Sequence, residues 1–389
     1  MPLTRPLEPP HGTVIHSARL VADGNDTADA WVRIDDGRVS ASGTGDTWRA
    51  DAGAQPIDAA AVAGPGAVLA PGFIDIHGHG GGGASYDDGL AAIVTARRAH
   101  LAHGTTRAVL SLVTAPLDRL AERVAAVADA VAGDPTVLGS HLEGPFLEPA
   151  HRGAHRSDLL RHPDAAAIDL LLDAGRGTVA QLTLAPELPG ALDAIRHAVE
   201  RGVTVAVGHT GAGAAATRAA FDAGATILTH AFNAMPGLHH RAPGPLGAAS
   251  ADGRVTWELI ADGIHLDPDI VRLAFRLAPG RVALITDAMA AAGHGDGDHL
   301  LGGRAVRVAG GVARAADGVL AGSTLTQDAA LRTAVAAGVP LGEAITSLTR
   351  TPARAIGRPE LGSLAVGSTA DAVLLDEALH VRRVMVGRV

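Results

Sequence analysis

From residue 73 onward, short apolar runs alternate with longer segments whose apolar residues recur at helical spacing. The apolar runs at 73–77, 105–113, 136–143, 179–187, 203–209, 225–232, 255–262 and 282–287 read as buried strands. The segments 88–103, 117–132, 158–174, 190–201, 212–223 and 268–278 read as the helices between most of them. Such an alternation predicts a parallel sheet closed into a (β/α)8 TIM-type barrel. An open doubly wound sheet is the runner-up. However, no Gly-rich phosphate fingerprint follows the first strand, only Gly80–Gly83, which reads as backbone freedom near a substrate.

The ends of the chain have a different rhythm. Residues 13–21 and 31–41 are β-prone, with a hairpin signal at Asp35-Asp36-Gly37, and 371–375 and 381–389 are strand-like again. These segments predict one small β-sandwich domain built from both termini, 1–70 and 365–389, around a barrel at 71–364. The interval 233–254, with Pro236, Pro243 and Pro245, reads as a long loop. Beyond the eighth strand, 304–308 and 318–320 suggest a hairpin. Helices are predicted at 325–337 and 341–356, the second interrupted by Pro352.

Composition narrows the chemistry. The chain has 389 residues, 47% of them hydrophobic, enough for a large core. No apolar run is long enough to span a bilayer, and no signal pattern opens the sequence, so a cytoplasmic protein without a membrane partner is expected. A net charge of −9 and 2% aromatic residues argue against nucleic acid as a partner. There is no Cys, hence no thiolate ligand or thiol nucleophile, and no Lys, hence no P-loop, Schiff base or carbamylated bridge.

Ionisable residues gather where the predicted strands end. Strand one delivers His77 and His79, strand three His141 and Glu143, strand four Glu187, strand five His209, strand six His230 and strand eight Asp287, with His265 just past strand seven. The C-terminal ends of barrel strands form the active face of this architecture. Buried ionisable groups are costly without partners, and a metal ion would satisfy His77, His79, Glu143, His209, His230 and Asp287 together. Imidazole with carboxylate suits Zn, Fe, Mn or Co. A metal with an open position would activate water, and Asp287 is the candidate base. The residues alone therefore point to metal-assisted hydrolysis or deamination of a small polar molecule. His100, His103, His151 and His197 read as surface or helix histidines, and Glu187 as a structural or supporting acid.

The barrel pattern with His-x-His after strand one, His at strands five and six and Asp at strand eight resembles the amidohydrolase superfamily. Within it, Pro71-Gly-Phe-Ile-Asp-Ile-His77, His141-Leu-Glu-Gly-Pro-Phe146, Gly153-Ala-His155, Gly208-His-Thr210, Thr229-His-Ala-Phe-Asn-Ala-Met-Pro236, Asp262-Gly-Ile-His265 and Thr286-Asp-Ala-Met289 resemble the N-acetylglucosamine-6-phosphate deacetylase family. The resemblance implies a divalent ion, zinc first among the four, with one or two per subunit. Glu143, His209 and His230 would hold the main ion, and Glu143 stands where other superfamily members use a carbamylated lysine. It makes Asp287 general base and then acid, and His155 a substrate ligand that polarises the acetyl carbonyl. Asn233 and the backbone at Ala234 would meet the phosphate, with Arg241 and His265 supplying positive charge. It also implies a homodimer in which the two subunits share that phosphate site. Rival expectations are an N-acetylgalactosamine-6-phosphate deacetylase, a cyclic-amide hydrolase, a deaminase, or a sugar-phosphate sensor that has lost catalysis.

Overall fold

The computed structural model describes residues 12–50 and 53–387. Eight parallel strands make one sheet: Phe73–Asp75, Thr105–Val113, Val137–Glu143, Val179–Leu184, Thr204–Val207, Ile227–Leu228, Thr256–Ile260 and Val282–Ile285. Neighbours pair in chain order from the first strand to the eighth. The seam between first and eighth is closed by other means. The Asp287 N–H donates to the His77 carbonyl at 2.8 Å, and the Thr286 hydroxyl donates to Asp75 Oδ2 at 2.6 Å. Helices cover the outside. Leu117–Gly133 buries Leu120, Val124 and Val127, spaced by one helical turn, and turns Arg119 and Glu122 to water.

A separate seven-stranded sheet joins the two ends of the chain. Ala372–Leu375 pairs antiparallel with both Val381–Met385 and Val68–Pro71, and the latter pairs in parallel with Thr13–Ala22. Asn25–Asp35 and Arg38–Thr44 form the expected hairpin, with Asp36 and Gly37 both at positive φ, as a twist-matched two-residue turn requires. Ile15, Val32, Ile34, Leu69, Leu374 and Met385 give this sheet its own core. Positions 388–389 of the expected final strand, and residues 1–11 of the expected terminal domain, lie outside the described residues.

Several segments differ from expectation for local reasons. The predicted helix 158–174 begins at Ala165, because Pro163 precedes an Asp164 cap whose Oδ1 accepts the Ala167 N–H at 2.8 Å. The predicted helix 341–356 splits into Leu341–Leu348 and Arg350–Ala355, with Pro352 in the first turn of the second piece. The predicted hairpin is a three-stranded meander, Gly297–Leu301, Arg304–Ala309 and Val312–Ala315, turned by Gly302-Gly303 and Gly310-Gly311. Residues 318–320 add only a single bridge from Arg314 to Leu320. The loop 233–254 contains the short helix Gly244–Ser250, which buries Leu246, Ala248 and Ala249. No helix among the described residues is long and apolar enough to cross a membrane.

Gly80–Gly83 serve close packing rather than the substrate cavity. A Cβ on Gly81 would fall 2.8 Å from the His100 ring, and one on Gly80 would fall 2.3 Å from the Ala84 carbonyl. His100 is a helix histidine, but a buried one, and its Nε2–H donates to the Gly80 carbonyl at 2.8 Å. Burial pushes His100 down to about 4, against which the Gly80 carbonyl acts only partly. The unfolded chain takes up this proton near ~6.5, so this contribution to stability is intact above that pH and is lost as pH falls toward the folded value. The window corresponds to about 3 kcal/mol. In metal-free protein, the denaturant midpoint of His100→Gln is expected to fall less steeply between pH 7 and 4 than that of wild type.

Candidate active site

The backbone at the strand ends explains how the site is assembled. Strands five, six and eight stop at Val207, Leu228 and Ile285, short of the predicted ends. His209, His230 and Asp287 have φ of 48°, 27° and 47°, a region that residues with a Cβ rarely adopt. This left-handed step ends each strand and swings the side chain over the barrel mouth. Such strain persists only where the surroundings enforce it, and it clusters at functional sites. Strand three carries its site residue inside the ladder, and Glu143 pairs with Val113 and Thr183 on either side.

Five imidazoles and two carboxylates converge there. Glu143 Oε1 lies 3.0 Å from His209 Nε2, 3.2 Å from His230 Nε2 and 3.3 Å from His77 Nε2. Glu143 Oε2 lies 3.1 Å from His79 Nε2 and 3.2 Å from His155 Nε2. Asp287 Oδ1 lies 3.2 Å from His79 Nε2 and 3.7 Å from His77 Nε2. Two compact donor groups result, His77 with His79 and Asp287, and Glu143 with His155 and His209. Each Glu143 oxygen lies near a histidine of both groups, Oε1 near His77 and His209 and Oε2 near His79 and His155.

Protons alone satisfy this cluster poorly. His209 Nε2 and His230 Nε2 are 3.0 Å apart and aim at the same Glu143 oxygen. Ligands about 2.0–2.1 Å from a tetrahedral ion sit roughly 3.3 Å from one another, close to the spacings here. The donor set therefore fits a divalent cation. Burial opposes the charge on Glu143, yet the histidines around it, His77 foremost, hold it well below the usual carboxylate range. Burial likewise opposes ionisation of Asp287, and the His79 hydrogen bond overrides it to keep the carboxyl low.

Most of the expected residues meet at one cavity of about 490 Å³. His79, Glu143, His155, His209, His230, Asn233, Ala234, His265 and Asp287 all line it. His77 lies fully buried beneath it. Thr114 Oγ1 stands 2.9 Å from His155 Nδ1. His265 Nδ1–H donates to Asp262 Oδ2 at 2.7 Å, and that contact overcomes burial to raise its pKa. Arg241 is exposed, does not line the cavity of its own chain, and contacts His240 Nε2 at 2.7 Å. Glu187 accepts from Thr210 Oγ1 and Gly211 N, both at 2.5 Å, and so clamps the segment after His209. His141 is held on both ring nitrogens, by Ser111 and Thr183, each at 2.8 Å, and belongs to neither donor group, its ring packing edge-on against that of His77.

The profile of the Amidohydrolase family matches residues 68–387. The chain belongs to the amidohydrolase family. It is 40% identical over 385 residues to the N-acetylgalactosamine-6-phosphate deacetylase of Escherichia coli O157:H7, covering 96% of this chain and 97% of that protein. It is 39% identical over 335 residues to the N-acetylglucosamine-6-phosphate deacetylase of Bos taurus, covering 82% and 81%. The N-acetyl-D-glucosamine-6-phosphate deacetylase of Mycobacterium smegmatis, solved as a mutant in complex with N-acetyl-D-glucosamine-6-phosphate, superposes with a TM-score of 0.90 at 41% identity, over 96% of this chain and 98% of that one.

Sequence reasoning missed two buried acids of this amidohydrolase. Glu258 in strand seven is fully buried; its Oε2 accepts from His77 Nδ1 at 2.9 Å and its Oε1 from Gln181 Nε2 at 2.8 Å. Asp75 braces the His77 backbone and Thr286, and burial pushes it up to about 6 despite the Thr286 hydrogen bond. Both were recoverable, since an acid inside an apolar run must have a partner. Gln at position 258 would oppose its NH2 to one of two donors. The Glu258→Gln variant is expected to bind divalent metal about 10–100-fold more weakly, measured by competition with a chromophoric chelator.

Proposed function

We propose that this amidohydrolase hydrolyses the acetamide of N-acetylglucosamine 6-phosphate, releasing acetate and glucosamine 6-phosphate. The observation that carries this reading is the convergence of Glu143, His209, His230 and Asp287 on a cavity that also holds His155 and His265. The names of the relatives point to the same substrate class. Glu143, His209 and His230 would hold the main ion, with His77, His79 and Asp287 offering a second position, and zinc suits both donor sets. A divalent ion bound there supplies Lewis-acid polarisation and lowers the pKa of a coordinated water toward ~7.

The side chains supply the rest. Asp287, ionised at neutral pH, accepts the proton of the attacking water and returns it to the departing amine. The Thr114 hydroxyl donates to the Glu143 carbonyl at 3.1 Å and accepts the His155 Nδ1 proton at 2.9 Å, which orients the His155 ring with Nε2 toward the acetyl group, whose oxygen it helps to polarise. At the other end His265, raised by Asp262, offers positive charge, and Asn233 with the Ala234 backbone offers donors to the phosphate.

Arg241 extends from the loop after strand six, outside its own cavity. That position suits a homodimer in which each subunit lends this cation to its partner's phosphate site. A cytoplasmic enzyme of amino-sugar metabolism follows from such a substrate. The test is acetate release by metal-loaded protein from N-acetylglucosamine 6-phosphate, its galactosamine epimer, unphosphorylated N-acetylglucosamine, and a chelated control. Release that needs both metal and phosphate is expected. Equal rates on the free sugar would remove the phosphate assignment, and release unaffected by chelation would remove the metal.

A further inference from the structure

The outward nitrogens of the site histidines are not treated alike. His77 Nδ1 has Glu258 at 2.9 Å, His155 Nδ1 has Thr114 at 2.9 Å and His209 Nδ1 has the His151 carbonyl at 3.0 Å. Histidines that ligate metal almost always give their second N–H to such a partner, which fixes the tautomer and the ring. His79 stands apart. Its Nε2 faces Glu143 and Asp287, while its Nδ1 is buried without a hydrogen-bond partner among the described residues. A donor left so would cost about 1–3 kcal/mol.

Asp87 has the complementary deficit. It sits on the turn Tyr86–Asp88, whose Tyr86 N–H donates to the His79 carbonyl at 2.8 Å. Both of its carboxylate oxygens are buried and have no side-chain hydrogen bond among the described residues, and the Val113 backbone is the main-chain donor that acts on them. Its one ion pair is a 3.3 Å approach of Arg123 to Oδ1, and the charge of His79 is among those that act on it. A buried donor and two buried acceptors on adjoining backbone meet the requirement for an enclosed water, which needs two to four polar partners.

We propose that Asp87 is the positioning residue of His79, receiving the Nδ1 proton through one buried water and so holding Nε2 toward Glu143 and Asp287. Arg123 steadies the carboxylate from the far side. The inference rests on the reading that His77, His79 and Asp287 form a metal position. It makes the two histidines of the His-x-His pair equivalent in design: Glu258 serves His77 directly, and Asp87 serves His79 through water.

The experiment measures zinc stoichiometry and affinity by chelator competition for wild type, Asp87→Ala, Asp87→Asn and His79→Ala, with metal-free melting temperatures alongside. Asp87→Ala is expected to weaken the second ion about 10–100-fold and leave the first unchanged. Asp87→Asn, which keeps an acceptor oxygen, is expected to recover most of that loss. Should Asp87→Ala unfold, the Asn variant carries the comparison, aided by the 15N shifts of His79, which report its tautomer. Unchanged zinc affinity with a lowered melting temperature would make Asp87 merely structural and overturn the proposal. If wild type and His79→Ala bind identical zinc, the metal position itself fails and the inference falls with it, a result distinct from failure of Asp87 alone.

Discussion

The Asp287→Asn variant is expected to lose acetate release by about 10²–10⁴-fold while its fold and main metal position survive. Asn matches Asp in size, so the turn with φ of 47° and the Asp287 N–H bond to the His77 carbonyl are kept. What changes is the ability to take a proton. Asp287 is held ionised by His79 and His77 against the cost of burial, which makes it a ready acceptor at neutral pH. An amide accepts no proton from the attacking water and returns none to the amine. The loss amounts to roughly 3–5 kcal/mol of transition-state stabilisation. It should fall on kcat, with KM for the sugar phosphate little altered. Zinc content measured beside the rate separates a lost base from a lost ligand, because Asp287 also faces His77 and His79. Near-normal turnover with full zinc would show that another group moves the proton.

The barrel and most of its site were legible because both are written in local pattern. Each parallel strand is buried on both faces and so reads as an apolar run, and Glu143, His209, His230 and Asp287 stand at or just beyond the end of such runs. The strand ends were legible only approximately. His209, His230 and Asp287 look like strand residues, but in each case the ladder ends two residues earlier, before their left-handed backbone. Only tertiary enforcement makes that conformation stable, and no propensity records it. The meander at 297–315 was half visible. Its Gly-Gly turns are plain in the sequence, yet the first strand, Gly297–Leu301, has only Leu300 and Leu301 as apolar residues, the former exposed, and so lacks an apolar run. Glu258 departs from the strand-end pattern, because it is an acid in the middle of strand seven rather than at its end. Arg241 marks another limit. It lies exposed and outside the cavity of its own chain, and no local pattern sets such a cation apart from an ordinary loop residue.

The largest stability effect is expected far from the cavity, at Arg107. This side chain lies at the start of strand two, fully buried, where the barrel meets the terminal sheet. Its Nε and one terminal nitrogen grip the two Asp371 oxygens at 2.6 and 3.1 Å. The remaining donors reach the Pro135 carbonyl at 2.7 Å and the Gly387 carbonyl at 3.2 Å. Asp371 also accepts the Gly387 N–H at 2.9 Å, and its carbonyl receives the Gly72 N–H. One ion pair thus ties strand two, the chain entering the barrel and the end of the described chain together. A buried pair adds little over a well-packed apolar substitute, but removing one member strands the other charge in a dry site. Arg107→Met should therefore cost about 3–5 kcal/mol, and Asp371→Leu a similar amount. The double variant should lose clearly less than the sum, because it leaves no charge uncompensated. Since this end of a barrel supports stability rather than chemistry, each single variant should keep its rate well below its melting temperature. Chemical denaturation of the metal-loaded protein, with acetate release at low temperature, tests both halves. Wild-type midpoints in both single variants would mean that the pair is open to water in solution, and a lost rate in a folded variant would mean that the two ends of the barrel are coupled.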